Sequence, residues 1–426
     1  SGTKDIEKIG AGTITFSNAS NNFGSNDLYI SNGTLNIDNS GSLGTLGDIF
    51  VGDTSGSNSA TLEIGTAGVS ISDAINIQSG SSGTMSLGTS NSSGIATFSG
   101  TVTLNQDITL TSIAGGTSLF TGDITDNALT NVNVNIDAGG GIVKFGTTAK
   151  TYAGGTSTST TLNSGELLLG SADLIPDASN ITFSSGTLDL AGFNETVAVV
   201  DWTATSYLDF GSTTGSNTFT FSDDDNTGVV GTLLVTNWEG SATDHFTTTS
   251  ALTTSFLDNI KFQGFGTGAQ KSGNDIIPSV SASDFFVWDN GGGDTLWDTN
   301  TDWTGENSVA DNTSPGLGAD NYNIKFDAAG TGDVLLDANT TFNTLIFTSS
   351  AVSSFTLKND MGANYTFTVD GILPVIQQNS AVNHTFTDNT SNTLGIVLTA
   401  DVLFSGTGSG SIVIGSTISS TGAITK

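Results

Sequence analysis

A seven-residue phrase recurs through the first half of the chain: a small polar pair, a small residue, then an alternating strand. It reads SNGTLNI at 31–37, NSATLEI at 58–64, SSGTMSL at 81–87, NSGELLL at 163–169 and SSGTLDL at 184–190, with SSGIATF at 92–98 a weaker copy. Several neighbouring copies lie about 20–27 residues apart, the spacing of stacked solenoid repeats. Within each copy Leu and Ile fall on one face, and Asn, Asp, Glu or Ser on the other. The Gly or Ala ahead of the strand marks a turn, where a large side chain is awkward. One such strand cannot bury its apolar face alone; stacking buries a continuous column. The expected fold is all-β: right-handed parallel β-helix (solenoid) segments, each repeat contributing a rung. A string of antiparallel β-sandwiches is the alternative, disfavoured because the repeats are Gly-rich and lack Pro.

Composition agrees. The 426 residues include 55 Gly, only 4 Pro and no Cys, with 12% charged against 35% hydrophobic. Interleaved Ile, Val, Leu and Phe distinguish the chain from a disordered, low-complexity one. No long stretch shows helical periodicity. The net charge is −32, and all nine basic residues are Lys. Such a surface repels phosphate backbones and anionic lipid, so nucleic acid and membrane surfaces are poor partners. It suits solubility, or cross-linking by divalent cations such as calcium. No apolar run approaches the ~20 residues of a membrane helix, and no leader opens the chain. Export therefore implies a signal already removed.

Two longer blocks carry a family resemblance: KIGAGTITFSNASNNFGSNDLYISNGTLNI at 8–37 and VKFGTTAKTYAGGTSTSTTLNSGELLLGSADLIPDASNITFSSGTLDLAG at 143–192. They resemble the autotransporter-associated β-strand repeat, which opens Lys-x-Gly-x-Gly-Thr, turns at Tyr-x-Gly-Gly-Thr and continues Asn-x-Gly-x-Leu-x-Leu-Gly. The first block has Phe23-Gly24-Ser25 in place of the Tyr turn, and the second has Phe145-Gly146-Thr147-Thr148 in its opening. With the weaker copies the resemblance covers most of residues 1–200. It implies an exported, passenger-type bacterial β-helix and says little about activity.

Three segments follow from this. Residues 1–200 form the repeat solenoid. Residues 201–283 are similar to the segment that ends such regions, expected as a solenoid end or a sandwich-like or irregular insert. Residues 284–426 form a second solenoid, because FFVWDNGGGDTLWDTNTDW at 285–303 resembles the Trp-rich opening of these passengers. A beginning thus follows an end. The last phrase, SSTGAITK at 419–426, overlays the first, SGTKDIEK, through Ser419 on Ser1, Thr421 on Thr3, Ile424 on Ile6 and Lys426 on Lys8. In the family that phrase leads into a Gly-x-Gly-Thr strand, carried here by Gly10–Ile14. The expectation is one joint split between two termini, with Ile412, Ile414, Ile418 and Ile424 continuing into Ile6, Ile9 and Ile14. Either the chain is a subunit polymerising head to tail, or it is one period of a covalent array.

Other candidates are weighed more simply. Asp289, Asp294, Asp298, Asn300 and Asp302 offer alternate oxygen ligands that suit a calcium loop, without the Gly or final Glu of an EF-hand. Turn chemistry accounts for the same residues. Asp223, Asp224 and Asp225 pose the same choice and read more simply as a solvated turn. Trp288, Trp297 and Trp303 suit either a core or a glycan-stacking face, with core favoured. His245, beside Asp244, and His384 are the only imidazoles, and nothing marks a nucleophile elbow. No enzymatic activity is expected. The expected function is an extracellular structural protein that self-assembles into a filament or surface layer. The alternative is a surface adhesin binding glycans or other cells.

Overall fold

A computed structural model describes the chain except residues 1–3, 127–131, 153–158, 212–215, 225–229, 239–242, 264–267, 279–284, 290–294, 306–314, 316–321, 328–331, 361, 371–373, 390–391, 400 and 426. Its regular structure is nearly all β, a β-solenoid with parallel sheets. The chain divides into two compact units. One holds Ser1–Ile260 with Lys271–Ile277, the other Lys261–Gln270 with Pro278–Lys426.

In the first unit three parallel ladders run from rung to rung. The first joins Ile6–Lys8, Leu28–Ile30, Ile49–Val51, Ile75–Ile77, Val102–Leu104 and Ile124–Thr125. The second starts at Thr13–Phe16 and continues through Gly33–Ile37, Ala60–Ile64 and Met85–Thr89. The third starts at Ser70–Ile71 and continues through Gly94–Phe98 and Gly116–Phe120. Two long strands, Val134–Phe145 and Ser159–Leu169, serve both the second and third ladders, the first of them changing register between Asp137 and Ile142. Gly139 and Gly140 make that corner with φ of 53° and 89°, which other residues adopt at a cost.

Alternation does the rest. In the second ladder Leu35, Leu62, Leu87, Leu110, Ile136, Leu162, Phe183 and Trp202 stand over one another in register. All eight are buried. Each such side chain contributes about 1.5–3 kcal/mol of burial, so the column is the main source of cohesion between rungs. The neighbouring outward column is polar: Thr34, Thr61, Ser86, Thr109, Asn135, Thr161 and Thr182. Between residues 201 and 260 the described strands Ser206–Asp209 and Asn217–Asp224 keep parallel partners in the ladders. The irregular features there are a short helix, Thr254–Asp258, capped by Thr253, and an antiparallel pairing of Thr247 with Asp275.

The second unit is also three-sided. One ladder joins Gly332–Leu336, Phe355–Asn359, His384–Phe386 and Ile412–Ile414. The first part of Thr340–Phe347 leads into Tyr365–Val369, Leu394–Leu398 and Thr417–Ser420. Its second part leads into Val375–Gln378, Val402–Ser405 and Ile424–Thr425. Trp288, Trp297 and Trp303 are buried at the start of this unit, packed edge to face at 5.0 and 4.8 Å, and the Trp303 indole N–H donates to Trp297 O at 2.8 Å. They form a core cluster with Phe342 and Phe367.

Candidate functional site

The first and last described rungs are built alike. Ile6–Lys8 pairs with Leu28–Ile30, and Ile6 meets Leu28, twenty-two residues on. At the other end Val402 meets Ile424 and Gly395 meets Thr417, again twenty-two residues on. Because paired residues in a parallel ladder face the same side, Ile14 continues the column of Leu35, Ile418 that of Ile396 and Ile424 that of Val402. Those partners are buried, yet Ile14 is 45%, Ile418 38% and Ile424 53% exposed. Ile9, beyond the strand, is 72% exposed. Ile412 and Ile414 lie partly covered over His384 and Phe386. Ser419 and Thr421 are exposed, and Thr421 N donates to Leu398 O at 3.0 Å. Ser1, Thr3 and Lys426 lie outside the described residues.

Lys8 is the exception in its column. It faces inward over Ile30 and is buried, and its ammonium donates to Gly10 O at 2.8 Å and Asn32 O at 2.6 Å. Burial lowers its pKa. Two backbone carbonyls thus make a cradle for a lysine tip at the edge of the first rung.

Among its described residues the acidic loop does not bring three carboxylates together. Asn300–Asp302 is a turn of 3-10 helix, which buries Asp302 while Asp298 stays exposed. Asp289 accepts a hydrogen bond from the Thr304 hydroxyl, and Asp294 lies outside the described residues. Asp298 instead meets Asp337. Leu296 bridges Leu335 in parallel, so the two aspartates fall side by side, with Asp360 acting on Asp337 from the next rung. Burial first, then the Asp298 carboxyl, pushes the Asp337 pKa up to about 7. Asp223 is exposed, the Asp224 side chain and Asp225 lie outside description, and among the described residues no three carboxylates or imidazoles are grouped to hold a metal.

The histidines part ways. His245 Nδ1 lies 3.1 Å from the Asp275 carboxylate, while neighbouring Asp244 is buried and accepts from Asn217 Nδ2 at 3.1 Å. Three buried polar groups escaped the sequence reading. The Lys150 ammonium donates to Phe120 O, Gly122 O and Thr148 O, and burial pushes its pKa down to about 8. The Tyr152 hydroxyl bonds Thr160, and Glu195 Oε2 accepts from the amides of Leu174 (2.9 Å) and Ile175 (3.3 Å). Burial raises Glu195 to about 7. Lys150 and Tyr152 belong to the AKTYAGGT phrase, and both hold turns of the solenoid from inside.

The fold defines the class, a β-solenoid of about 14 turns. Comparison with protein-family models, with curated proteins and with solved structures finds no match. Among the described residues no helix is long and apolar enough to cross a membrane.

Proposed function

We propose that the protein is an extracellular structural β-solenoid that assembles head to tail through its first and last rungs. One observation carries this reading: the interior columns run to both rungs and emerge there uncovered, at Ile14 on one and at Ile418 and Ile424 on the other. An open rung presents free main-chain groups and apolar surface to whatever strand arrives. A contact between two different surfaces of one subunit does not close on itself, so it propagates into a filament or layer. Ladder hydrogen bonds supply affinity, and the matched isoleucines supply the buried area. Sedimentation of the full chain and of Ile424→Asp tests it. The wild type is expected to form polymer and the variant to stay monomeric; equal sedimentation contradicts the proposal.

An adhesin is the second reading, favoured by one outward feature. Tyr29 and Phe50 occupy successive rungs of the first ladder and stack at 4.7 Å, beside in-register Asp5, Asp27 and Asp48. An aromatic pair on an outer face suits glycan stacking. Glycan-array binding by the wild type, lost in Tyr29→Ala/Phe50→Ala, is the outcome it requires.

A further inference from the structure

The corners between the first and second ladders differ in length from rung to rung. Residues 78–84 link Ile75–Ile77 to Met85–Thr89, whereas residues 105–107 suffice between Val102–Leu104 and Ile108–Thr111. A long corner beside a short one leaves a step in the solenoid wall. That step is a notch of about 540 Å³, floored by Asn105, Gln106 and Asp107, with Ser81 and Thr84 on the preceding rung and Asn135 on the following one. We propose that this notch binds an uncharged mono- or disaccharide. The inference is independent of head-to-tail assembly and of the Tyr29–Phe50 face.

The notch is fixed by hydrogen bonds around one unpartnered group. Ser81 Oγ donates to Asn58 O at 2.7 Å and accepts from the Gly83 amide at 3.1 Å. Asn105 Nδ2 donates to Ile77 O at 2.9 Å. The Asp107 carboxylate accepts from Asn133 N at 2.8 Å and from Asn133 Nδ2 at 3.2 Å. Between these two floor residues, Gln106 Nε2 is covered and has no hydrogen-bond partner among the described residues. A covered donor without a partner is a standing cost, and one bond to a ligand removes it. Gln106 is half-buried as a whole and lines the notch, so a turn of its side chain presents the amide to an occupant.

The lining selects the class of ligand. The hydroxyls of Thr84 and Thr109 and the amides of Gln106 and Asn135 can each donate and accept, as the hydroxyls of a sugar ring do. Met85 and Val132, both buried, supply an apolar patch for the C–H face of the ring. No lysine stands among the lining residues, and the chain carries a charge of −32, so phosphate and carboxylate ligands are repelled. A cation would find one carboxylate, Asp107, already engaged by Asn133. A peptide strand needs an open sheet edge, whereas Met85–Thr89 and Ile108–Thr111 pair with each other and with further strands on either side. An uncharged, polyhydroxylated ligand fits what remains.

An array of uncharged mono- and disaccharides probed with the full chain tests this, and saturation-transfer NMR with the strongest binder measures its affinity. Saturable binding by the wild type is expected. Gln106→Ala is expected to weaken it about fivefold, the loss of one hydrogen bond. Thr84→Trp, which fills the notch from an exposed position, is expected to abolish it. Tyr29→Ala/Phe50→Ala is expected to bind as the wild type does. Circular dichroism checks that each variant is folded. No saccharide bound, or binding untouched by both notch variants, overturns the proposal and leaves water as the partner of Gln106. Binding lost only in the Tyr29 and Phe50 variant also overturns it, and favours the outer aromatic face instead. Polymer formation by the chain bears on none of these outcomes.

Discussion

The imidazole of His384 lies flat on the ring of Phe347, with centroids 4.0 Å apart and planes within 5°. The ring is fully buried, Nδ1 accepts the Phe355 amide at 3.2 Å, and Phe355 and Phe386 close in around the pair. Nothing here welcomes a proton, and burial pushes the pKa from 6.5 down to about 4. The unfolded chain therefore binds a proton that the folded one refuses. Stability is whole above pH 6.5 and falls as pH drops toward 4, by about 3 kcal/mol in all. Urea midpoints measured between pH 7.5 and 4 are expected to show this slope in the wild type and to lose most of it in His384→Leu.

Asp337 works in the opposite sense. Its carboxyl, raised toward 7 by burial and by Asp298, is strained when both groups are ionised. That penalty is present above pH 7 and fades as pH falls toward 3.8. Asp337→Asn is expected to stabilise the second unit by about 1 kcal/mol at pH 8, since the exposure of Asp298 screens part of the repulsion, and to change little at pH 4.5. Thermal melts of both proteins at the two pH values check it; a destabilised variant at pH 8 contradicts it.

Glu195 anchors the SADLIPD turn from below. Removing its acceptor leaves the amides of Leu174 and Ile175 buried without a partner. Glu195→Ala is expected to cost about 2–4 kcal/mol, and Glu195→Gln, which keeps an acceptor oxygen, less than half of that. Chemical denaturation of the three proteins supplies the comparison.

Gly33 opens the second-ladder strand Gly33–Ile37 with φ of 73°, and a Cβ there would lie 2.5 Å from Gly10 O and 2.6 Å from Gly12 O. Ala60 holds the same place one rung on. Gly33→Ala is expected to cost about 1–2 kcal/mol of backbone strain and to open the first rung, seen as faster amide exchange at residues 13–16. Unchanged exchange rates there contradict the account.

The solenoid was legible because alternation and turn residues are local. Its register was not. Aligned by sequence, Gly83 of SSGTMSL matches Gly33 of SNGTLNI, but the ladder sets Met85 beside Ala60 and thus in the column of Gly33, a slip of two residues that keeps every side chain on its face. The copies also serve two different ladders, Gly33–Ile37 in the second, Gly94–Phe98 and Thr187–Asp189 in the third. Hence their uneven spacing. Asp298 and Asp302 looked like one ligand run, yet a single 3-10 turn separates an exposed carboxylate from a buried one. Lys150 and Glu195 gave no signal because their partners are backbone groups mostly some twenty to thirty residues away.

The most direct measurement is negative-stain electron microscopy of the purified 426-residue chain beside a variant lacking residues 419–426. The account predicts long fibres from the first and folded, discrete particles from the second. Discrete, monodisperse particles from both would contradict head-to-tail assembly.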